Sequence, residues 1–285
     1  MGGVVGIGPW VLLGTGILFL AGFLYWAFVI TEGAYLGARI VAWTYDLTAS
    51  KYDAIKRFML ADDIWLLSSP MVLALKGVSA PLVLDVATGT GRMPLALFEQ
   101  GHFRGYVVGL DLSAKMLEQA ERKLRIHAGH YALLRHDAQE LPFADETFDA
   151  VSCLEALEFT PAPGRVLSEM ARVLRPGGIF VVTNRINWES KLMPGKAFTD
   201  DQMRAMLHAI GLVHVEIRPW QVYYDLVWAR KEGQRSGLGG GTRELRTILH
   251  CPQCAAVPLQ EKPRAYLCPS CGRTYPVTRG FIDLG

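Results

Sequence analysis

Charge is missing from the first 31 residues of this 285-residue chain, in which Glu32 is the first Asp, Glu, Lys or Arg. From Trp10 to Ile30 the sequence reads WVLLGTGILFLAGFLYWAFVI. As a helix this stretch is about 30 Å long, the thickness of a bilayer's hydrocarbon core. No basic residue stands ahead of it and no A-x-A site follows, which argues against a cleaved signal peptide. An all-round apolar helix of this length is also unusual as buried core in a domain of this size. Residues 1–38 are therefore expected to be a transmembrane anchor, with Trp10 at one interface and Tyr25, Trp26 and Tyr35 towards the other. Arg39, Lys51, Lys56 and Arg57 follow the span and none precedes it. That asymmetry predicts a single-pass membrane protein whose remaining residues are cytoplasmic.

Cysteine is scarce as well. Of five, four form two C-x-x-C pairs near the end of the chain and Cys153 stands alone. A disulfide framework is excluded by this pattern, which reads instead as a metal site in a reducing compartment. Net charge is only +2, which argues against nucleic acid as the main partner. From Lys231 onwards there are eight Lys/Arg and four Asp/Glu, so that segment is +4 and the rest −2. Four zinc-bound thiolates would bring the segment down to about +2.

From Leu82 short apolar runs alternate with helical patterns. Seven strands are expected near Leu82–Val86, Tyr106–Leu110, Tyr131–Arg135, Phe148–Ser152, Ile179–Thr183, Val213–Ile217 and Val222–Ala229. Helices are expected between them, at Ser113–His127, Gly164–Arg175 and Thr199–Ile210 among others, the last opened by a Thr199/Gln202 capping box. The alternation predicts an α/β fold, a Rossmann-like, seven-stranded, mostly parallel sheet with helices on both faces. Ligands in such sheets bind at the carboxyl ends of the strands.

The first strand runs into Asp85-Val86-Ala87-Thr88-Gly89-Thr90-Gly91, where glycines let backbone approach a ligand. Ala87 and Pro94 stand where a full G-x-G-x-x-G has glycine, and no Walker Lys-Ser/Thr follows. Dinucleotides and triphosphates are disfavoured. Asp111 closes the second strand twenty residues after Gly91, where a carboxylate can accept both hydroxyls of a ribose. The pattern fits a ligand with an adenosine and no phosphate.

These segments carry a resemblance. DVATGTGR (Asp85–Arg92), GLDLSAKMLEQA (Gly109–Ala120), HDAQELPFADETFDAV (His136–Val151), MARVLRPGG (Met170–Gly178) and VWARK (Val227–Lys231) resemble, in order and spacing, class I S-adenosylmethionine-dependent methyltransferases of the ubiquinone/menaquinone-biosynthesis type (methyltransferase type 11). The resemblance implies that Asp85 orients the glycine loop and the methionine amino group, while Ala87, Thr88, Gly89 and Gly91 give the backbone room. It implies that Asp111 holds the ribose, with Leu112 and Met116 against adenine. Asp137 would accept from the adenine amino group, with Ala138 stacked alongside and Leu154 completing the cofactor site. On the acceptor side Glu158 and Tyr52 are the candidates for a catalytic role, although a solvated helix carboxylate and plain lid structure explain them equally. Asn184 and the pairs Tyr45-Asp46 and Tyr52-Asp53 stand nearby. Residues 39–80 read as a lid over a methyltransferase domain at 81–231.

From Lys231 to Thr242 the chain reads KEGQRSGLGGGT, and residues 232–245 read as a flexible linker. Residues 246–285 read as a zinc ribbon in which Cys251, Cys254, Cys268 and Cys271 hold one structural Zn²⁺. The run ILHCPQC…LCPSCGRTYPVTRGFIDLG resembles the small activating subunits of tRNA, rRNA and release-factor methyltransferases, although Gly-Phe-Ile-Asp-Leu replaces the common Gly-Ile-Pro. That resemblance leaves a protein partner open. The expected function is methyl transfer to a small hydrophobic, membrane-resident acceptor such as a quinone precursor or lipid. The alternatives are an enzyme for RNA or protein presented by the ribbon, and a membrane-tethered scaffold with a vestigial cofactor site. The Asn/Asp-Pro-Pro-Tyr/Phe motif of amino-group methyltransferases is absent after the fourth strand, which lowers the first alternative. Intact Asp85, Gly89, Gly91 and Asp111 speak against the second.

Overall fold

The computed structural model describes residues 7–56, 58–235 and 237–285; Arg57, residues 1–6 of the expected anchor and Ser236 of the expected linker lie outside it. The helices are α1 (Ile7–Tyr25), α2 (Ala38–Thr48), α3 (Tyr52–Lys56), α4 (Leu60–Asp63), α5 (Ser69–Ala74), α6 (Arg92–Phe98), α7 (Ala114–Leu124), α8 (Pro163–Val173), α9 (Asp200–Ala209) and α10 (Leu245–Ile248). The strands are β1 (Leu82–Val86), β2 (Tyr106–Asp111), β3 (Tyr131–Arg135), β4 (Phe148–Cys153), β5 (Leu174–Arg185), β6 (Leu212–Gln221) and β7 (Tyr224–Lys231), then β8 (Gln260–Lys262), β9 (Ala265–Leu267), β10 (Thr274–Thr278) and β11 (Phe281–Asp283).

The first seven strands lie in the order β6-β7-β5-β4-β1-β2-β3. Within that order β7 alone runs antiparallel to its neighbours. β1 and β4 are buried at every residue, as strands covered on both faces must be. The amphipathic helices follow their patterns. In α7, Met116, Leu117, Ala120 and Leu124 are buried, and the Ser113 hydroxyl accepts from the Met116 amide at 3.1 Å as N-cap. The Thr199/Gln202 capping box opens α9.

The sheet has eleven strands, not the expected seven. The ribbon's last strand, β11, pairs parallel with β3 through Ile282↔Leu134 and Asp283↔Arg135. β10, β9 and β8 then continue antiparallel. An edge strand offers unpaired N–H and C=O groups, and β11 takes those of β3. Phe281 adds a core contact, packing with Leu117, Ala120, Leu124 and Leu133. The Gly-Phe-Ile-Asp-Leu departure noted in the sequence is this docking segment.

Residues 232–245 are also not the free linker that their glycines predict. Asp149 Oδ2, near the start of β4, accepts from both Leu82 and Gly240 amides, at 2.8 and 2.7 Å. The Gly239 and Gly241 amides donate to Ser79 and Ala80 carbonyls. Arg243 donates to the Thr147 carbonyl at 2.5 Å. A Cβ added at Gly239 would lie 2.3 Å from the Ser79 carbonyl, and at Gly241 2.6 Å from that of Ala80. These glycines serve close backbone approach; the segment is a strap under β1.

Helix α1 and the turn of π-helix that follows it form one apolar stretch, Trp10–Ile30, with mean hydropathy 2.0 and only 11% of it buried. Its far end is docked. Ala27, Ile30, Thr31 and Ala34 are buried. Trp26 Nε1 donates to the Leu192 carbonyl at 3.0 Å and the Tyr35 hydroxyl to that of Pro194 at 2.8 Å, with the two rings stacked.

Candidate functional site

Two cavities meet where β1, β2 and β4 end. The larger, about 110 Å³, is lined on the sheet side by Ala87, Gly89, Asp111, Leu112, Met116 and His136. Asp137, Ala138, Leu154 and Phe159 continue its wall, and Ala38, Val41, Tyr45 and Tyr52 of the lid roof it. The smaller, about 30 Å³, is shaped by Asp85, Thr88, Thr90, Arg92 and Phe58 and shares Tyr52, Ala87, Gly89, Leu154 and Glu155 with the first.

The carboxylates sit at strand ends, with their acceptor capacity only partly used. Asp111 accepts from the Gly89 and Ser113 amides, each at 2.8 Å, so one side chain ties the glycine loop to the start of α7. Asp85 accepts from the Thr88 hydroxyl at 2.7 Å and the Ser152 hydroxyl at 2.6 Å. Burial pushes both aspartates up to about 6, against these hydrogen bonds. Each ionised carboxylate has about four lone-pair sites, so room remains for ligand hydroxyls or an ammonium. Asp137 accepts from the Gln139 amide at 2.9 Å.

Ten of the eleven residues expected around the cofactor line one cavity or the other. Gly91 does not. It caps α6 in the left-handed conformation, and a Cβ there would lie 3.2 Å from the Ala120 methyl. Its service is to let α6 approach α7. Gly89, also left-handed, has open space where its Cβ would be. Asn184, inside β5, exchanges hydrogen bonds with the Phe198 backbone and holds a loop.

Arg92 was not singled out in the sequence, although it directly follows the glycines. It is gripped by Asp63 through two hydrogen bonds of 2.7 and 2.6 Å and by Glu155 at 2.6 Å. Phe58 and Trp220 flank its guanidinium, at 3.9 and 4.8 Å. Burial works against its charge, but the two carboxylates outweigh burial and raise its pKa. Lys56 reaches Glu155 at 3.4 Å. The lid is thus bonded to the glycine loop. Only distant pairing reveals this, which no local spacing encodes.

Tyr52 lines both cavities. Glu158, weighed in the sequence against a solvated helix carboxylate, is buried on a short 3₁₀ turn and accepts from the Tyr224 hydroxyl at 2.6 Å. In the ribbon, the sulfurs of Cys251, Cys254, Cys268 and Cys271 all lie within 4.8 Å of one another, as free thiols. The nearest pairs, at 3.5 and 3.6 Å, approach the ~3.8 Å edge of a tetrahedron with 2.3 Å Zn–S bonds.

Residues 84–182 match the family described as a methyltransferase domain. A ubiquinone/menaquinone biosynthesis C-methyltransferase of Syntrophotalea carbinolica is 37% identical over 140 residues, covering 48% of this chain and 58% of that protein. A demethylmenaquinone methyltransferase of Alkalihalophilus pseudofirmus is 45% identical over 96 residues, 33% of this chain and 41% of the relative. The chain spans about half the length of the curated relatives it matches. Among solved structures, a chain from a complex between a methyltransferase activator of Haloferax volcanii and a methyltransferase superposes with TM-score 0.53 at 21% identity, covering 66% of this chain and 98% of that one. The 4+2-cyclase SpnF superposes with TM-score 0.57 at 18% identity, over 70% and 97%. These two likenesses concern the fold alone. The domain match and the curated relatives make the central part of this chain a class I S-adenosylmethionine-dependent methyltransferase domain.

Proposed function

We propose that this methyltransferase domain moves the methyl group of S-adenosylmethionine to a small hydrophobic ring, a quinone precursor or related lipid, drawn from a membrane in which α1 is embedded. In this reading the adenosine end lies in the larger cavity against Asp111, Asp137 and Met116. The methionine end lies in the smaller one beside Asp85 and Arg92. The methyl transfers from sulfonium to a nucleophile in line with the departing sulfur, so catalysis needs positioning and exclusion of water more than a strong base. The lid supplies that exclusion.

The observation that carries the membrane part is the docking, on the cavity wall, of the segment that directly follows the apolar helix. Ala34, four residues past the stretch, packs with Phe159 and Met193, and Phe159 lines the cavity. The lid's outer surface exposes Trp43, Leu47, Ile55, Met59 and Trp65, the make-up of a face lying on lipid. Arg39, Lys51 and Lys56 beside it favour a cytoplasmic catalytic domain. An acceptor dissolved in the bilayer would enter without crossing water.

The ribbon, with one structural zinc on its four cysteines, is a brace for the β3 edge. Among the described residues lining the two cavities, none comes from 246–285, which disfavours a ribbon that feeds RNA or protein to the site. The test is incubation of the full-length protein and methyl-labelled cofactor, separately, with extracted membrane lipids, total RNA and ribosomal protein. Label in the lipid extract is expected. Label in RNA or protein and none in lipid would overturn the reading.

A further inference from the structure

Behind Phe159 the chain buries ionisable groups that the cofactor site does not use. Glu158 is 1% exposed. Its Oε1 accepts from the Tyr224 hydroxyl at 2.6 Å and lies 3.8 Å from Arg185, whose own short contact, 2.6 Å, is with Glu189. Glu158 Oε2 and Arg185 Nε are both buried without a hydrogen-bond partner. Glu32, the first charged residue after the apolar helix, brings its carboxylate beside the Tyr45 hydroxyl and within electrostatic reach of Glu158. Tyr45 lines the cavity and packs edge-on against Phe159. A buried polar atom left unpaired is costly, so two of them in one cluster call for a polar guest.

We propose that Glu158, Tyr224, Glu32 and Tyr45 form the polar end of the acceptor site, that this end takes the hydroxyl of a hydroxylated aromatic ring, and that Glu158 holds the hydroxyl's proton during methyl transfer. The inference rests on the function proposed above and deepens it. The ring hydroxyl gives its proton to the cluster, where Glu158 keeps it. The ring carbon beside the oxygen forms a bond to the methyl carbon as the methyl–sulfur bond breaks, and that bond's electron pair stays on sulfur. The hydrogen on the methylated carbon then leaves as the one proton released overall. The ring becomes aromatic again, and the oxygen takes its proton back from Glu158.

The electrostatics suit this use. Burial pushes Glu158 up to about 7, the Tyr224 hydrogen bond and Arg185 pull the other way, and Glu32 adds to the rise. A group near neutrality both takes and returns a proton at working pH. Burial, with Glu32 next, raises Tyr45 well above the usual phenol range, so Tyr45 stays protonated. Because Glu158 lines neither cavity, it is a positioning residue, and a pH profile separates its role from a merely structural one.

The test uses the full-length protein in detergent micelles, saturating S-adenosylmethionine and a short-chain 1,4-naphthohydroquinone kept reduced. The native protein should lose kcat/KM tenfold per pH unit below about 7. Glu158→Gln should lose about 100-fold or more and lack that acid limb, while binding S-adenosylmethionine within about twofold of native. Tyr224→Phe removes a hydrogen bond that favours the carboxylate, so its limb should move to higher pH. Glu32→Gln removes a like charge, so its limb should move to lower pH. Full activity with an unchanged limb in Glu158→Gln, or shifts of the same sign in the other two variants, would overturn the inference and leave the function standing. A native enzyme that leaves this hydroquinone unlabelled overturns the inference too; the function falls with it only if the lipid extract also stays unlabelled.

Discussion

The Ser113 hydroxyl donates to the Asp46 carboxylate at 2.5 Å, joining the lid helix α2 to the N-cap of α7, two residues beyond Asp111. A second contact of the same kind lies seven residues along the lid, where Asp53 accepts from the Thr90 hydroxyl at 2.6 Å. Each aspartate follows a tyrosine that lines the cavity. The two Tyr-Asp pairs thus work alike, one residue roofing the site and the next latching the roof to a cofactor loop.

Removing a latch should loosen the roof. Asp46→Ala deletes an acceptor for Ser113 and for the Lys115 amide. Charge-assisted hydrogen bonds contribute about 1.5–3 kcal/mol. Amide exchange across residues 38–48 should accelerate, and S-adenosylmethionine should dissociate at least about tenfold faster in stopped-flow displacement. Unchanged exchange would show that α2 is held by its apolar contacts alone.

Asp111 should dominate cofactor affinity, and do so in a pH-dependent way. Asp111→Ala should weaken S-adenosylmethionine binding by about 1.5–3 kcal/mol in calorimetry. In the proposed site ribose hydroxyls donate to the ionised carboxylate, so the ligand is expected to favour the deprotonated form. With the free group near 6, native affinity should be full above that pH and fall as pH drops through it. Asp85, also near 6, acts in the same direction at the methionine amino group. A native affinity flat between pH 5 and 7.5 would contradict both assignments.

The glycines of the strap should resist substitution. A Cβ at Gly240 would stand 2.9 Å from the Thr147 carbonyl and 3.0 Å from Leu82 Cβ. Gly240→Ala should cost about 1–3 kcal/mol in urea unfolding, the range for overpacking. A free linker would tolerate it within about 0.5 kcal/mol.

The ribbon should hold metal and stabilise its host. Freshly purified protein should contain one zinc per chain, lost in the Cys254→Ser, Cys271→Ser double variant, with residues after Ile248 unfolding as a result. Phe281→Ala leaves the cysteines intact but empties a pocket formed by α7 and β3. It should lower the stability of the catalytic domain by about 3–5 kcal/mol. A melting curve for the catalytic domain insensitive to Phe281 would mean that the ribbon hangs free.

The apolar stretch should carry the protein to membranes. The full chain should sediment with them and resist carbonate extraction, and a chain beginning at Arg39 should not. That shortened chain also lacks Glu32 and Ala34, so its turnover should fall even on a dispersed acceptor. Recovery of the full chain in the soluble fraction would refute the anchor.

Much of this protein is local in origin and was legible before any folding. Strand alternation, the Ser113 and Thr199 caps, the glycine turn after β1 and the two C-x-x-C knuckles each depend on residues within a few positions of one another. Sequence periodicity and spacing record such relations directly. The expected residues that line the two cavities were legible for the same reason, because they sit at or beside strand ends whose order the pattern reveals. What tertiary structure decided is what joins distant segments. Gly239–Gly241 look like flexibility in sequence, yet the open space beside a glycine is taken by the Ser79 and Ala80 carbonyls. β11 looks like the end of a separate ribbon until the free edge of β3 accepts it. Glu158 resembles a solvated carboxylate until Tyr224, 66 residues away, and Arg185 close over it. Hydrogen-bond partners and burial at that range are set by packing, and packing is a property of the whole chain rather than of any window along it.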